Sequence, residues 1–345
     1  MTFNKLRQHR IWWAVITGAI LTAMPDGFAH ADAPGPTDYS SVIVEVTTPE
    51  SLPLADDVAI TIEGHDSFLS VTVARGTTVE IPGYEGEEYL KIESNCTAYE
   101  NQRSMSTWYN KERYGSDFGA DVVDHDAAPE WLQIASNCTL AWHDHRIHYM
   151  SPQPPVNAKP GDVIVADSIP FTVDGIPVAV RVESSLVERS SLLAPLVAAT
   201  SALLLVVVIG RTSAALQRLM VAASLLGLMI GGAQYLWAAP GTGPQLTSFA
   251  LPLLATVLGG SAIVSNRTSS IQRNGVQLIS SIFLALWVLR RKEVLDAALL
   301  PTSLPYWVDR AGTAAIGVIA CATAGYALVG LWQIANANRP SPCQA

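Results

Sequence analysis

The chain has 345 residues, 49% of them hydrophobic, and a formal net charge of −9. It is too apolar for one ordinary soluble domain, and its acidity repels phosphate backbones, so nucleic acid is excluded as a partner. The charge is uneven: residues 32–189 carry 26 Asp and Glu against 9 Lys and Arg, whereas residues 190–345 carry 3 against 9. An acidic polar half joined to a hydrophobic half with basic loops predicts a water-exposed domain on a membrane domain.

Residues 1–31 read as a secretory signal peptide. Lys5, Arg7 and Arg10 precede an apolar run from Ile11 to Met24, and small residues follow Pro25-Asp26-Gly27. The run is short for a membrane-spanning helix. Cleavage after Ala31 and cleavage after Ala29 both satisfy the small-x-small rule. The second leaves His30 as the amino-terminal residue, whose amine and imidazole can chelate Cu(II) together.

Residues 32–188 form the predicted exported domain. Alternating or β-branched segments run over Ser41–Thr47, Val58–Glu63, Phe68–Val73, Thr78–Ile81, Tyr89–Ser94, Trp131–Ile134, Leu140–His145, Val163–Ala166 and Pro177–Glu183, separated by Gly, Pro, Asp and Asn. No amphipathic helix interrupts them, and the pattern predicts an all-β sandwich. Tyr89-Leu90-Lys91-Ile92-Glu93-Ser94-Asn95-Cys96-Thr97 is echoed by Trp131-Leu132-Gln133-Ile134-Ala135-Ser136-Asn137-Cys138-Thr139. Two such strands side by side would bring Cys96 level with Cys138. In an oxidising compartment that predicts a disulfide, two free thiols being the alternative.

The densest chemistry follows Cys138, in Trp142-His143-Asp144-His145-Arg146-Ile147-His148-Tyr149-Met150. A strand continued through His145 puts His143 and His145 on one face, roughly 7 Å apart at the base, opposite a core face of Leu140 and Trp142. Imidazoles with the thioether of Met150 suit copper, Asp144 and Arg146 would orient the ligands, and His125 and His65 are further candidate ligands. The alternative is a structural network in which the same groups only hydrogen-bond one another. The spacing His143-x-His145-x-x-His148 is that of the metallo-β-lactamase signature, but Ile147 stands where that signature has aspartate. No nucleophile motif or phosphate loop is present, and Asp124 with Asp126 does not make a paired-carboxylate site, so the chain reads as a non-enzyme.

Residues 189–338 read as about five helices, with apolar stretches at Leu192–Ile209, Leu219–Ala238, Phe249–Val264, Val276–Leu289 and Ala311–Ile334, and residues 339–345 as a cytoplasmic tail. With the β-domain outside the plasma membrane, Arg211, Arg218, Arg267, Arg273 and Arg339 lie inside, while Arg290, Arg291, Lys292 and Arg310 lie outside, against the positive-inside tendency. A re-entrant fourth stretch, leaving four crossings, is the alternative. Tyr235, Trp237, Trp287, Tyr306 and Trp307 read as an outer aromatic belt. Glycines such as Gly227, Gly231, Gly259, Gly312 and Gly317 suit close packing within the bundle or with a partner protein.

The motifs from Tyr89 through Asn101-Gln102-Arg103-Ser104, Thr107-Trp108-Tyr109-Asn110, Arg113-Tyr114-Gly115, Ala128-Pro129-Glu130-Trp131 and the Trp142–Met150 run resemble an uncharacterised family of actinobacterial exported membrane proteins. The resemblance covers the exported domain, extends loosely into the helices, and implies the same layout without an activity. The Ala29-His30-Ala31 exit and the sandwich-plus-helices plan are also similar to the copper-resistance proteins of the CopC and CopD type. The expectation is therefore a bilayer-anchored extracytoplasmic β-domain that binds a copper-type ion, or else an interaction module docking on another envelope protein.

Overall fold

The computed structural model describes residues 34–49, 54, 56–111, 113–114, 123, 127–151, 153–210, 212–237, 246–264 and 269–337. The expected signal peptide with His30, the loop with His125 and the expected tail lie outside these residues.

The amino-terminal half is an all-β sandwich of ten antiparallel strands. The larger sheet contains β1 (Tyr39–Thr47), β4 (Val79–Pro82), β5 (Glu88–Ile92), β6 (Ala98–Asn101), β7 (Trp131–Ala135), β9 (Val163–Val173) and β10 (Ile176–Leu186), in the order β1-β10-β9-β4-β5-β6-β7. The smaller contains β2 (Ala59–Glu63), β3 (Phe68–Thr72) and β8 (Thr139–Trp142), in the order β2-β3-β8. Alternation along the strands sends Val178, Val180 and Val182 of β10 and Ile169, Phe171 and Val173 of β9 inward, where they meet Leu69, Val71, Leu140 and Trp142 of the smaller sheet in one core.

The Cys96–Cys138 disulfide is present, but not because its two strands are neighbours. β6 lies between β5 and β7. The repeated Asn-Cys-Thr is instead a repeated turn. Each cysteine takes a positive φ (76° and 60°), and each asparagine side chain accepts a hydrogen bond from the amide two residues on, Thr97 at 2.8 Å and Thr139 at 3.3 Å. The two turns then meet directly, with the Cys138 amide donating to the Cys96 carbonyl at 3.2 Å. A short helix, α1 (Met105–Tyr109), also interrupts the sandwich, started by a hydrogen bond from the Ser106 amide to the Ser104 hydroxyl.

The carboxyl-terminal half is helical: α2 (Leu193–Ile209), α3 (Ser213–Leu236), α4 (Leu246–Val264), α5 (Ser270–Arg290) and α6 (Tyr306–Ala337), with a 3₁₀ turn at Lys292–Leu295. Among the described residues α3, α4 and α6 are long and apolar enough to cross a membrane, consistent with a membrane protein, and α2 is a shorter apolar helix. The expected fourth stretch is the apolar end of α5, which runs for 21 residues behind a Ser269–Gln272 capping box. Trp287 is not part of an aromatic belt. It is buried and donates its indole N–H to the Ser248 carbonyl at 2.8 Å.

Charge is buried at the end of the bundle nearest the sandwich. There Arg291 forms a buried ion pair with Asp309 at 2.6 Å and also donates to Gln234, while Arg310 donates to the carbonyls of Ala297 and Ala298. The same end is clamped to the β-domain. Thr37 and Leu299 exchange two main-chain hydrogen bonds, Asp38 accepts from the Ala298 amide and from Arg189, and His65 Nε2 contacts the Leu300 carbonyl and the Tyr306 hydroxyl.

Candidate metal centre

Antiparallel pairing of β3 with β8 sets Leu69 opposite Trp142, so the residue before β3, Ser67, comes close to the residue after β8, His143. His143 Nδ1 lies 2.7 Å from the Ser67 carbonyl. The strand stops there, and the expected face-sharing of His143 and His145 along a continued strand is not what joins them. Asp144 starts a turn closed by the Ile147 amide donating to its carbonyl at 3.1 Å, and its carboxylate accepts from the Arg146 amide at 3.0 Å.

The same carboxylate accepts from Arg146 Nε at 2.9 Å, from its terminal nitrogen at 2.7 Å and from the Trp142 indole at 3.0 Å. Asp144 is fully buried. Burial alone would raise its pKa, but the Arg146 hydrogen bonds and charge, with the Trp142 N–H, hold it below the usual carboxylate value. The turn is pinned from the far side by Ile147, which is 0% exposed and whose carbonyl accepts from the Ser41 hydroxyl at 2.6 Å. The position at which a metallo-β-lactamase signature carries its aspartate is thus a core residue here.

This knot turns His145 and His148 back onto His143. Ring centroids lie 4.5 Å apart for His143 and His148, 5.2 Å for His143 and His145, and 5.3 Å for His145 and His148. One ligand nitrogen from each ring falls within 4.8 Å of the others, so the three could hold a metal ion. His143 and His148 are buried, and His145 is half-buried beside Tyr84, whose hydroxyl accepts from the His145 amide at 2.9 Å and donates to Asn110 at 2.5 Å. The Tyr84 ring stacks on His145 and lies under the Arg146 guanidinium.

His148 Nδ1 is 3.1 Å from the Tyr149 carbonyl. A carbonyl only accepts, so both His143 and His148 are matched to a proton on Nδ1, which leaves the Nε2 lone pairs facing one another at 2.8 Å. Lone pairs so placed repel, and a change of tautomer at one ring, a shared proton or a metal ion relieves the repulsion. Desolvation first, then the charges of neighbouring His145 and Arg113, lowers His143 to about 3. Desolvation, His143 and Arg113 lower His148 to about 2. At neutral pH the pair therefore sheds the proton. A tetrahedral ion with bonds of about 2.0 Å asks for nitrogen separations of about 3.3 Å, so these two rings need to move about half an ångström and His145 has to swing in.

Met150, the fourth expected ligand, is 39% exposed, beyond the turn. Arg113 was missed from the sequence as a neighbour of the cluster. It pairs with buried Asp66, which also accepts from Thr37 at 3.0 Å. Searches against protein-family models, curated proteins and solved structures found no match for this chain, so the chemistry of the site is read from its own atoms.

Proposed function

We propose that this chain is a bilayer-anchored, extracytoplasmic, non-catalytic protein whose β-domain holds a copper-type ion on His143, His145 and His148 and passes it to another envelope or membrane protein. The observation that carries the reading is the convergence of three imidazoles, with one ligand nitrogen from each within 4.8 Å of the others and the Nε2 atoms of buried His143 and His148 2.8 Å apart.

Three nitrogen donors and no oxygen ligand disfavour calcium and magnesium. Charge then favours copper among the metals that imidazole suits. The nearby carboxylates Asp144 and Asp66 are already neutralised by Arg146 and Arg113. A bound ion thus keeps its charge in a dry site, at a cost that rises with that charge, which favours Cu(I) over a dication. The exposed thioether of Met150 is a soft donor of the kind that takes Cu(I) during transfer.

Orientation gains support from the bundle. Arg291 and Arg310 are buried, the first paired with Asp309 and the second held on the carbonyls of Ala297 and Ala298, so they do not act as free loop charges. Arg290 and Lys292 then face Arg211, Arg218, Arg267, Arg273 and Arg339 at the other end by chain order, which agrees with the β-domain outside.

Titration of the full-length protein in detergent with Cu(I), Cu(II) and Zn(II), each against a competing chelator, tests the reading. The expected result is one Cu(I) per chain, with affinity lost in His143→Ala/His145→Ala. Equal binding by that variant leaves the rival reading, an interaction module whose His143–His148 contact is purely structural.

A further inference from the structure

At the end of the helical bundle opposite the β-domain lies a half-open cleft of about 570 Å³, between the first turns of α3 and α5 and the last turns of α6. Its wall mixes apolar side chains with a cluster of polar ones, Gln217, Arg273, Asn274, Gln277 and Gln333, and has no Asp or Glu.

Two independent observations point to an anionic ligand. Gln217 is only 9% exposed, and its carboxamide nitrogen is buried with no hydrogen-bond partner among the described residues. A donor left like this costs stability unless something accepts from it. Arg273 contacts only the Ser270 hydroxyl, at 3.4 Å, and has no carboxylate partner among the described residues. The dipoles of α3 and α5 on one wall and of α6 on the other oppose each other, so Arg273 supplies the net charge.

We propose that this cleft binds a phosphate-bearing anion, with Arg273 pairing its charge and the Gln217 and Asn274 amides donating to its oxygens. Basic clefts between membrane helices take lipid headgroups in this way, and a soluble phosphate presents the same oxygens. The site is separate from the histidine cluster and does not depend on metal binding.

Native mass spectrometry of the full chain with equimolar phosphatidylglycerol and phosphatidylcholine of identical acyl chains tests the lipid source. Calorimetric titration of the detergent-solubilised chain with inorganic phosphate tests the soluble one. Preferential retention of phosphatidylglycerol assigns the cleft to lipid, and phosphate binding without that preference assigns it to a free anion. In either case the affinity is expected to fall about tenfold in both Arg273→Gln and Gln217→Leu, the second of which keeps an apolar volume and a folded helix. Neither kind of binding, or a preference that survives in Gln217→Leu, overturns the proposal.

Discussion

His143 and His148 present their Nε2 atoms to each other at 2.8 Å while their Nδ1 atoms stay on the carbonyls of Ser67 and Tyr149. Backbone carbonyls thereby orient both rings with Nε2 free to serve a metal ion, which is the usual way that outer contacts set a metal-binding tautomer.

The same pair dictates a pH dependence. Burial lowers His143 to about 3 and His148 to about 2, from the ordinary value of 6.5. Between about pH 6.5 and 2 the unfolded chain binds protons that the folded chain refuses, so metal-free stability falls as pH falls through that window and levels off below it. Urea unfolding of metal-free protein at about pH 7.5 and pH 4.5 should show a loss of several kcal/mol. A His143→Gln/His148→Gln variant should lose much less, and an equal loss there would assign the effect to other groups.

Asp144→Asn leaves the Arg146 charge buried beside a neutral amide. The expected cost is about 3–5 kcal/mol, because the partner loses its counter-charge without regaining water. Thermal unfolding reads the loss, and metal affinity should fall with it, since the Asp144 turn is what returns His145 and His148 to His143. Unchanged affinity in a folded Asp144→Asn protein would mean that the turn does not set the ligand geometry.

Replacing both Cys96 and Cys138 by serine opens a loop with a sequence separation of 42. Chain entropy puts the loss at about 4 kcal/mol. Reduction of the wild-type protein should produce the same shift in unfolding midpoint, and a double variant as stable as the oxidised protein contradicts the estimate.

The bundle offers a matched pair of glycine tests. A Cβ on Gly231 would collide with the Ser248 carbonyl, main-chain atoms that also anchor the Trp287 indole, whereas a Cβ on Gly260 meets nothing within 4 Å. Gly231→Ala should therefore force α3 and α4 apart and lower the melting temperature in detergent, and Gly260→Ala should not. Equal melting of the two variants would remove close packing as the role of Gly231.

Much of this architecture was legible because it follows from periodicity. Alternating Val and Ile runs marked the sandwich, and the apolar stretches marked the helices. Two short elements escaped, β6, which is too brief to show alternation, and α1, which depends on a local side-chain cap. β6 has four residues and α1 five. The histidine residues themselves were legible as a cluster, but their geometry was not. Alternation read through His145, whereas the Asp144 carboxylate, caught by Arg146 and Trp142, ends β8 at Trp142. The Asp-x-Arg spacing was the available signal. The Arg291–Asp309 pair was hidden for another reason: its partners are 18 residues apart, on either side of a loop, and only tertiary packing brings them together.

The two-way exchange between Thr37 and Leu299, with Asp38 on the Ala298 amide and His65 on Leu300, has a mechanical consequence. The sandwich is bolted to the helices at the strand-side end of the bundle and is no swinging arm on a tether. An ion held on the histidines would stay at a constant stand-off from the helices, and under the proposed delivery role a recipient would have to approach that height to collect it.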